Sequence, residues 1–527
     1  MTKQERDRLR TEQRLEVLDS IRREGDPECT AKNDRTYAEV REFVDRHTLV
    51  AQDNGDIEGE RSESFEEKFR RQFTSIMTAY EASGKSKILI YVNGGLNSLR
   101  TVRKQAANQL PCMIRDGYFP VFLVWQTGAF DTYFEQITRV RNGELKNNLQ
   151  VSFPLYLAGD VGEGIIRSPI TLWNSVIRYW ESTANVEPQY EVGDDIEKAK
   201  DPEKYPLYRN VTFEEPHEKE GNLAARELLH GLGMPVRLAT APILDAMGKT
   251  AWENMVRRTR TTVRTVWEHQ TELRGKDFAE QVRCFPRGTG VFAKFFQALQ
   301  QYSKGPTTSD GGTLYAYDDC GIYRGQVAGK KEFSLTLIGH SMGTIVLNEL
   351  IPSFSGLPYE NIVYMAAVSS IRDFQKSVPW VLRLKMMRGR NSSPGQCPVN
   401  FHSLMLNPIA EARERTFKGL LLSGSLLEWI DDIYQEPKTM LDRTFGMWRN
   451  LRPALHVFGG EQRRCMSFRV FGFKNVDKDR QPGGGQFCDP EKHEIGHPQL
   501  HGAFNDGDKC FWQERFWGAK PKTKAAD

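Results

Sequence analysis

The chain has 527 residues, of which 39% are hydrophobic and 27% charged, so it can bury a sizeable core and is not disordered by composition. Lysine and arginine total 72 against 69 aspartate and glutamate residues, and a net charge of +3 offers no excess for binding nucleic acid. No run approaches the roughly 18 consecutive apolar residues of a membrane-spanning helix. We therefore expect a soluble globular protein without a nucleic-acid partner.

The N-terminus and the cysteines predict a cytoplasmic protein. Residues 1–20 form a charged amphipathic run that lacks the apolar centre and small-residue cleavage site of a secretory signal. The 8 cysteines are scattered and include no Cys-x-x-Cys pair. A chain of this size does not need disulfides to hold its core together, so we expect reduced thiols.

The first regular elements follow a charged N-terminal arm, residues 1–62. Apolar residues from Phe65 to Tyr80 recur at helical spacing, and Ser83-Gly84 predicts the helix end. An apolar run at 87–92, a glycine-containing turn, a helical stretch to residue 110 and a second apolar run at 120–125 come next. This order of strand, helix and strand predicts a parallel crossover unit.

The same alternation resumes with apolar runs at 334–338, 361–367, 401–406 and 466–473. Fully apolar strands predict a sheet covered by helices on both faces. About 200 residues separate the two halves, far more than the 10 to 12 or so that a crossover needs. We therefore predict one α/β domain formed by 63–130 and 331–518, an inserted cap at 131–330 and a tail at 519–527.

Helices are expected within the cap at 170–181 and 244–267, with a polar loop at 185–222 between them. A further amphipathic helix at 291–302 leads back towards the sheet. The aromatic stripe of Trp173, Ile177 and Trp180 allows peripheral contact with lipid, although such a stripe is more often explained by ordinary helix packing.

Residues 339–343 read Gly-His-Ser-Met-Gly and stand between an apolar strand and an apolar helix. A bare Gly-x-Ser-x-Gly is a weak signal, but this context predicts the sharp turn that holds a nucleophilic serine in a strained, exposed position. The alternative is a strand-ending turn with no chemistry.

This segment resembles the α/β-hydrolase superfamily, and within it the esterases and lipases that carry Gly-His-Ser-Met-Gly or close variants. The resemblance extends over roughly 86–130 and 331–510. It implies the α/β-hydrolase fold, a mostly parallel sheet with helices on both faces, and it implies Ser341 as the nucleophile. The backbone N–H of Met342 would then be one donor to the oxyanion.

The turn after the first strand supports the same interpretation. Residues 93–97 read Asn-Gly-Gly-Leu-Asn, where the superfamily often has His-Gly or His-Gly-Gly. Asn93 stands where the histidine is usual. Glycines allow backbone N–H groups to approach a substrate oxygen, so the Gly94, Gly95 and Leu96 loop is expected to supply the second oxyanion donor, from Gly95 or Leu96.

The resemblance places the catalytic base after the last strand, in the order serine, acid, histidine. His493, His497 and His501 all qualify by position. His501 begins a His-Gly turn ahead of a closing aromatic segment, as in the superfamily, and is the expected base. His497 is the alternative.

The acid should follow the strand that ends at residue 406. Residues 407–411 read Asn-Pro-Ile-Ala-Glu and resemble a His-Pro-x-Asp turn of some family members, with Ala410 in the aspartate's place. Glu411 is the nearest carboxylate and the predicted acid. Asp373 is the alternative, because some lipases carry the acid after the preceding strand.

A competing motif lies near the C-terminus. Residues 493–497 match His-Glu-x-x-His, in which His493 and His497 would hold zinc and Glu494 would activate water. The motif needs a helix, whereas a glycine-rich run lies upstream and Pro498 follows directly. A zinc peptidase is therefore only an alternative, as is a structural metal site with Cys488. No cofactor is expected for the serine hydrolase.

The sequence as a whole predicts a serine esterase or lipase that forms an acyl-enzyme on Ser341. Its substrate would be a small-molecule or lipid ester, and the large cap favours a bulky acyl group. A hypothesis of another class is a non-catalytic binding protein on the same fold, since Asn93 and the displaced acid depart from the family pattern.

Overall fold

The computed structural model describes much of the sheet and its flanking helices. The described residues are 42–52, 57–58, 63–95, 99–125, 140–141, 144–145, 187–214, 249, 252–253, 255–264, 290–304, 332–388, 397–416, 422–435, 437–473, 498–506 and 509–518.

Eight strands form one sheet in which every neighbouring pair is parallel. The described strands are, in chain order, β1 (Thr48–Ala51), β2 (Lys87–Val92), β3 (Tyr118–Trp125), β4 (Val140–Arg141), β5 (Glu144–Leu145), β6 (Val211–Phe213), β7 (Ser334–His340), β8 (Tyr359–Met365), β9 (Asn400–Leu406), β10 (Arg415–Thr416), β11 (Leu422–Ser423) and β12 (Met466–Phe471). The sheet has the order β1-β3-β2-β7-β8-β9-β12-β6, while β4–β5 and β10–β11 are small antiparallel pairs.

Helices connect and flank these strands. They are α1 (Phe65–Ser83), α2 (Leu99–Arg115), α3 (Glu187–Lys200), α4 (Val291–Lys304), α5 (Gly343–Ser353), α6 (Ile371–Arg388), α7 (Pro408–Arg413), α8 (Leu426–Trp429), α9 (Trp448–Ala454), α10 (Gly460–Arg463) and α11 (Glu514–Trp517). Residues 255–261 are also helical, and His501–Asn505 form a 3₁₀ helix. Within the described ranges, none of the helices has the length and apolar character needed to cross a bilayer.

Helix α1 begins and ends where its sequence predicts. The Ser64 hydroxyl accepts the Glu67 N–H, and the Glu67 carboxylate accepts the Ser64 N–H, which satisfies two exposed donors of the first turn. Gly84 ends the helix at φ 64°, a left-handed conformation that glycine adopts without strain. Its apolar face is buried, and Phe73 packs edge-on against Phe295 of α4.

The α/β class and the parallel sheet that the sequence predicts are confirmed. All six predicted strands are present, with bounds within two residues of the apolar runs. Every residue of β3 is buried, as a strand with helices on both faces requires. The predicted helix at 291–302 is also present, as α4.

Three elements differ from the sequence-based expectation. Strand β1 lies inside the predicted N-terminal arm and pairs with β3, so the sheet begins well before residue 62. Helix α3 and strand β6 occupy the region 185–222 that was expected to be loop, and β6 adds an edge strand beside β12. The expected helix at 170–181, its aromatic stripe, residues 1–41 and the tail lie outside the described residues.

The expectation of reduced cysteines is wrong for the described part of the chain. Cys397 and Cys465 form a disulfide with a Cα–Cα distance of 5.5 Å, and Cys112 and Cys510 are also disulfide-bonded. Cys397 precedes β9 and Cys465 precedes β12, two adjacent parallel strands. Spacing along the sequence could not predict this pair, because only the sheet brings the two strand starts together.

Removing this crosslink is expected to destabilise the fold. The cysteines are 68 residues apart in sequence, and opening a loop of this length enlarges the unfolded ensemble. We expect the Cys397→Ala, Cys465→Ala double variant to lose about 2–4 kcal/mol in free energy of unfolding. Urea unfolding measures the loss, and an unchanged midpoint with an unchanged slope would contradict a stabilising disulfide.

The strand order contains one switch point. The chain leaves β2 for β3 on one side, and it leaves β7 for β8 on the other, although β2 and β7 are neighbours. The helices that follow these two strands therefore diverge and leave a crevice at the carboxyl ends of β2 and β7. In open α/β sheets ligands bind at such crevices.

Candidate active site

Ser341 directly follows β7 at the switch point and has φ 51°, which is unusual for a residue with a side chain. Its N–H donates to the carbonyl oxygen of Met365 at 2.9 Å, and its carbonyl accepts the Val368 N–H at 3.3 Å. The end of β8 therefore holds this strained turn in place from both sides of the serine. Strain held by the surrounding fold is common at functional sites.

The two glycines around Ser341 are closely packed, and backbone contact makes glycine necessary at Gly343. A Cβ atom on Gly343 would lie 2.3 Å from the carbonyl oxygen of Val92 in β2, which is a backbone atom and cannot rotate away. A Cβ atom on Gly339 would lie 2.8 Å from Cδ1 of Leu347 in α5. The helix after the serine thus starts against the end of the neighbouring strand.

The loop after β2 packs on the serine turn. A Cβ atom on Gly94 would lie 3.3 Å from Ser341 Cβ, and one on Gly95 would lie 2.0 Å from Met342 Sδ. Met342 is the N-cap residue of α5, so its N–H is at the positive end of that helix, among groups without an acceptor inside it. Leu96 lies outside the described residues.

Asn93, the residue before this loop, is fully buried. Its Nδ2 donates to the Gly94 carbonyl at 2.8 Å, and its Oδ1 has no hydrogen-bond partner among the described residues. The asparagine therefore fixes the direction of the Gly94 carbonyl within the loop.

The structure brings His501 to Ser341. His501 is the first residue of the 3₁₀ helix, and its Nε2 lies 3.1 Å from Ser341 Oγ, within hydrogen-bond reach. Both side chains are buried. The other two histidines that the sequence allows as bases, His493 and His497, lie outside the described residues.

His501 is neutral at physiological pH. Burial, and to a smaller extent the neighbouring His340, lower the pKa of its imidazole to about 3. When Nε2 accepts the serine hydroxyl, the ring hydrogen must be on Nδ1. Nδ1 is buried and has no hydrogen-bond partner among the described residues.

The structure does not bring either predicted acid to this imidazole. Glu411 lies in α7 and is buried, and no described hydrogen bond joins its carboxyl group to His501. Burial raises the pKa of Glu411 well above its ordinary value, and the Glu414 carboxylate is the second-largest cause of the rise. Asp373 is exposed in the first turn of α6 and makes no described contact with His501.

Two side chains that the sequence did not single out contact His501 instead. Glu414 Oε2 accepts the backbone N–H of His501 at 2.9 Å. The His340 Nε2–H donates to the backbone carbonyl of His501 at 3.2 Å. The signal for Glu414 was present in the sequence, because it is a second carboxylate three residues after Glu411 and follows the same strand.

The position of Glu414 follows from the start of α7. The Asn407 side chain caps this helix by accepting the Ala410 N–H at 2.8 Å, and Pro408 occupies the first helical position. The Asn407 N–H also donates to the Phe471 carbonyl, which ties α7 to the end of β12. The short helix therefore carries Glu414 from the end of β9 towards His501.

A third residue that the sequence did not single out holds the turn after β12. Glu214, which directly follows the edge strand β6, is buried, and its Oε2 accepts the N–H groups of Gly472 at 3.0 Å and Phe473 at 3.2 Å. Its Oε2 also accepts from Gln499 Nε2 at 3.3 Å. The predicted cap region thus contributes a carboxylate that fixes the chain on both sides of the segment leading to His501.

The described residues contain no group of three or more histidine, cysteine, aspartate or glutamate side chains arranged to hold a metal ion. The motif of His493, Glu494 and His497 lies outside them, as does Cys488.

One open cleft of about 610 Å³ lies between the helical residues near 252–264 and Tyr434–Gln435. Arg257, Arg260 and Arg264 line it together with Trp252. Neither Ser341 nor His501 lines this cleft. The cleft is therefore not a pocket around the candidate nucleophile.

Comparison with protein-family models, with curated proteins and with solved structures found no match to the chain. The case for a function therefore depends on the geometry of Ser341, His501 and their neighbours.

Proposed function

We propose that this protein is a serine hydrolase that cleaves carboxylic esters through an acyl-enzyme on Ser341, on an α/β-hydrolase fold. The observation that carries the proposal is the 3.1 Å distance between Ser341 Oγ and His501 Nε2. A serine hydroxyl is a weak nucleophile at neutral pH, and it becomes effective when a neutral imidazole accepts its proton during attack. The strained turn and the switch-point location support the same role.

In this mechanism Ser341 Oγ attacks the ester carbonyl carbon while His501 Nε2 takes the hydroxyl proton. The resulting oxyanion accepts hydrogen bonds from the Met342 N–H and from the loop of Gly94, Gly95 and Leu96. Collapse expels the alcohol, which receives the proton from His501. A water molecule then attacks the acyl-enzyme, with His501 again acting as base, and the carboxylic acid leaves.

The substrate class is a small-molecule or lipid ester, and the long inserted region supports a bulky acyl group. The disulfide between Cys397 and Cys465 supports maturation in an oxidising compartment rather than in the cytoplasm that the N-terminus and the scattered cysteines predict.

A non-catalytic binding protein on the same fold is the second candidate. The observation that favours it is that Nδ1 of His501 has no hydrogen-bond partner in the described part of the chain, because a decayed triad would lose its acid. Covalent labelling of Ser341 with a fluorophosphonate probe discriminates between the two candidates.

Labelling with a fluorophosphonate probe tests the proposal, since such probes react with activated serines. We expect the wild-type protein to be labelled covalently, Ser341→Ala to remain unlabelled, and chelator to have no effect. Absence of labelling in a folded wild-type sample would overturn the proposal and favour the binding protein. Chelator-sensitive ester hydrolysis that persists in Ser341→Ala would favour the metal motif of His493, Glu494 and His497.

A further inference from the structure

His501 needs an acceptor that neither predicted acid supplies. Its Nδ1–H is buried without a hydrogen-bond partner among the described residues, and the imidazole becomes a cation when it takes the serine proton. A buried cation without a nearby carboxylate is strongly disfavoured, as the low pKa of His501 already reflects. A serine hydrolase built on this pair therefore requires a carboxylate within reach of Nδ1.

Glu414 is the carboxylate that contacts His501 in the described part of the chain. Its Oε2 accepts the His501 N–H at 2.9 Å. Only a few bonds separate the backbone nitrogen of a histidine from its Nδ1, so both atoms can approach the same carboxylate. In the structure this carboxylate binds the backbone N–H and not Nδ1–H, so orienting the imidazole through Nδ1 requires a rotation of the Glu414 or the His501 side chain.

His340 holds the other side of the same residue. Its Nε2–H donates to the His501 carbonyl at 3.2 Å, and the two rings lie 5.7 Å apart between centroids. The acceptor is a carbonyl, so His340 must carry its hydrogen on Nε2. Burial lowers the pKa of His340 to about 4, which keeps it a neutral, single donor.

We propose that Glu414 and His340 are the positioning residues of His501: Glu414 holds its N–H and orients its imidazole through Nδ1, and His340 holds its carbonyl. The inference rests on the proposed function and assigns the acid role to Glu414 in place of Glu411. It also gives the histidine of the Gly-His-Ser-Met-Gly turn a role in the site.

The first test compares Glu414→Gln with Glu411→Gln in hydrolysis of p-nitrophenyl butyrate by the full chain. The glutamine keeps the size of the side chain but cannot stabilise an imidazolium. We expect Glu414→Gln to lower kcat about 10²- to 10⁴-fold with KM changed less than about threefold, and Glu411→Gln to lower kcat less than about tenfold. Circular dichroism and thermal unfolding establish that both variants are folded.

The pH profile separates positioning from a merely structural role. Burial, and the carboxylate of Glu428, raise the pKa of Glu414 to about 7, while the hydrogen bond from the His501 N–H opposes the rise. The carboxyl group of Glu411 also interacts with that of Glu414. Arg449 pairs with Glu428, with 3.5 Å between Nη1 and Oε1. Protonated Glu414 has no negative charge to stabilise the imidazolium, so wild-type kcat should fall below about pH 7, and this limb should be absent in Glu414→Gln.

The second test uses conservative rescue at His340. In His340→Gln the amide N–H can occupy the place of Nε2–H, whereas His340→Leu has no donor. We expect Gln to retain kcat within about tenfold of the wild type and Leu to lose about 10²-fold or more. Equal losses in both variants would overturn the role of His340.

The outcomes distinguish this inference from the proposed function. If Ser341→Ala and His501→Ala abolish hydrolysis but Glu414→Gln retains kcat within about threefold, the hydrolase stands and the role of Glu414 is wrong. A larger loss in Glu411→Gln than in Glu414→Gln would also overturn it. If Ser341→Ala retains full activity, the proposed function itself fails.

Discussion

The His501→Ala variant is expected to lose about 10⁴-fold or more in kcat for ester hydrolysis, because it removes the only described group that can take the serine proton. Nε2 lies 3.1 Å from Ser341 Oγ, and the low pKa keeps the imidazole in its proton-accepting form at neutral pH. Initial rates with p-nitrophenyl butyrate measure the loss. KM should change little, since His501 acts mainly in the transition state.

His456→Ala provides a matched control. His456 is exposed, so its removal should leave kcat within about twofold of the wild type. A folded His501→Ala protein that keeps kcat within about tenfold would contradict His501 as the base. Such a result would favour His497, the alternative base that the sequence allows.

The Gly343→Ala variant is expected to lose about 2–4 kcal/mol in free energy of unfolding, at or above the usual cost of overpacking. The added Cβ would lie 2.3 Å from the Val92 carbonyl oxygen and 2.9 Å from that of Asn93. Both are backbone atoms, so α5 must move away from β2 to make room. This movement also displaces Ser341, so kcat should fall together with the stability that urea unfolding reports.

Gly193→Ala is the matched control for this substitution. Gly193 lies within α3, and a Cβ atom there would meet nothing within 4 Å. Alanine costs less conformational entropy in a helix, so this variant should gain about 0.5–1 kcal/mol. If Gly343→Ala were as stable as the wild type while Gly193→Ala behaved as expected, the close contact between α5 and β2 would be wrong.

The long buried strands were predictable because they are apolar over their whole length. The run at 87–92 became β2 with the same bounds, and the run at 401–406 became β9 with one added residue. The short edge strands were not predictable in this way. β1 has four residues and β6 three, and each depends for its stability on a neighbour distant in sequence.

The contact between Ser341 and His501 was predictable from local patterns, and the contact between Glu414 and His501 was not. Gly343 marks the serine turn because the backbone of Val92 leaves no room for a side chain there. Which of Glu411 and Glu414 reaches His501 depends instead on how far α7 extends and on the direction of each side chain. Sequence distance from β9 favoured Glu411, whereas the helix carries Glu414 to the His501 N–H.

The most direct measurement is to locate the acyl group itself. The wild-type protein is mixed with p-nitrophenyl butyrate, quenched with acid during turnover, digested and analysed by mass spectrometry. We expect a butyryl group on Ser341, in the peptide that contains the Gly-His-Ser-Met-Gly turn, and no such group in Ser341→Ala. Turnover without an adduct on Ser341, or turnover that persists in Ser341→Ala, would contradict the acyl-enzyme.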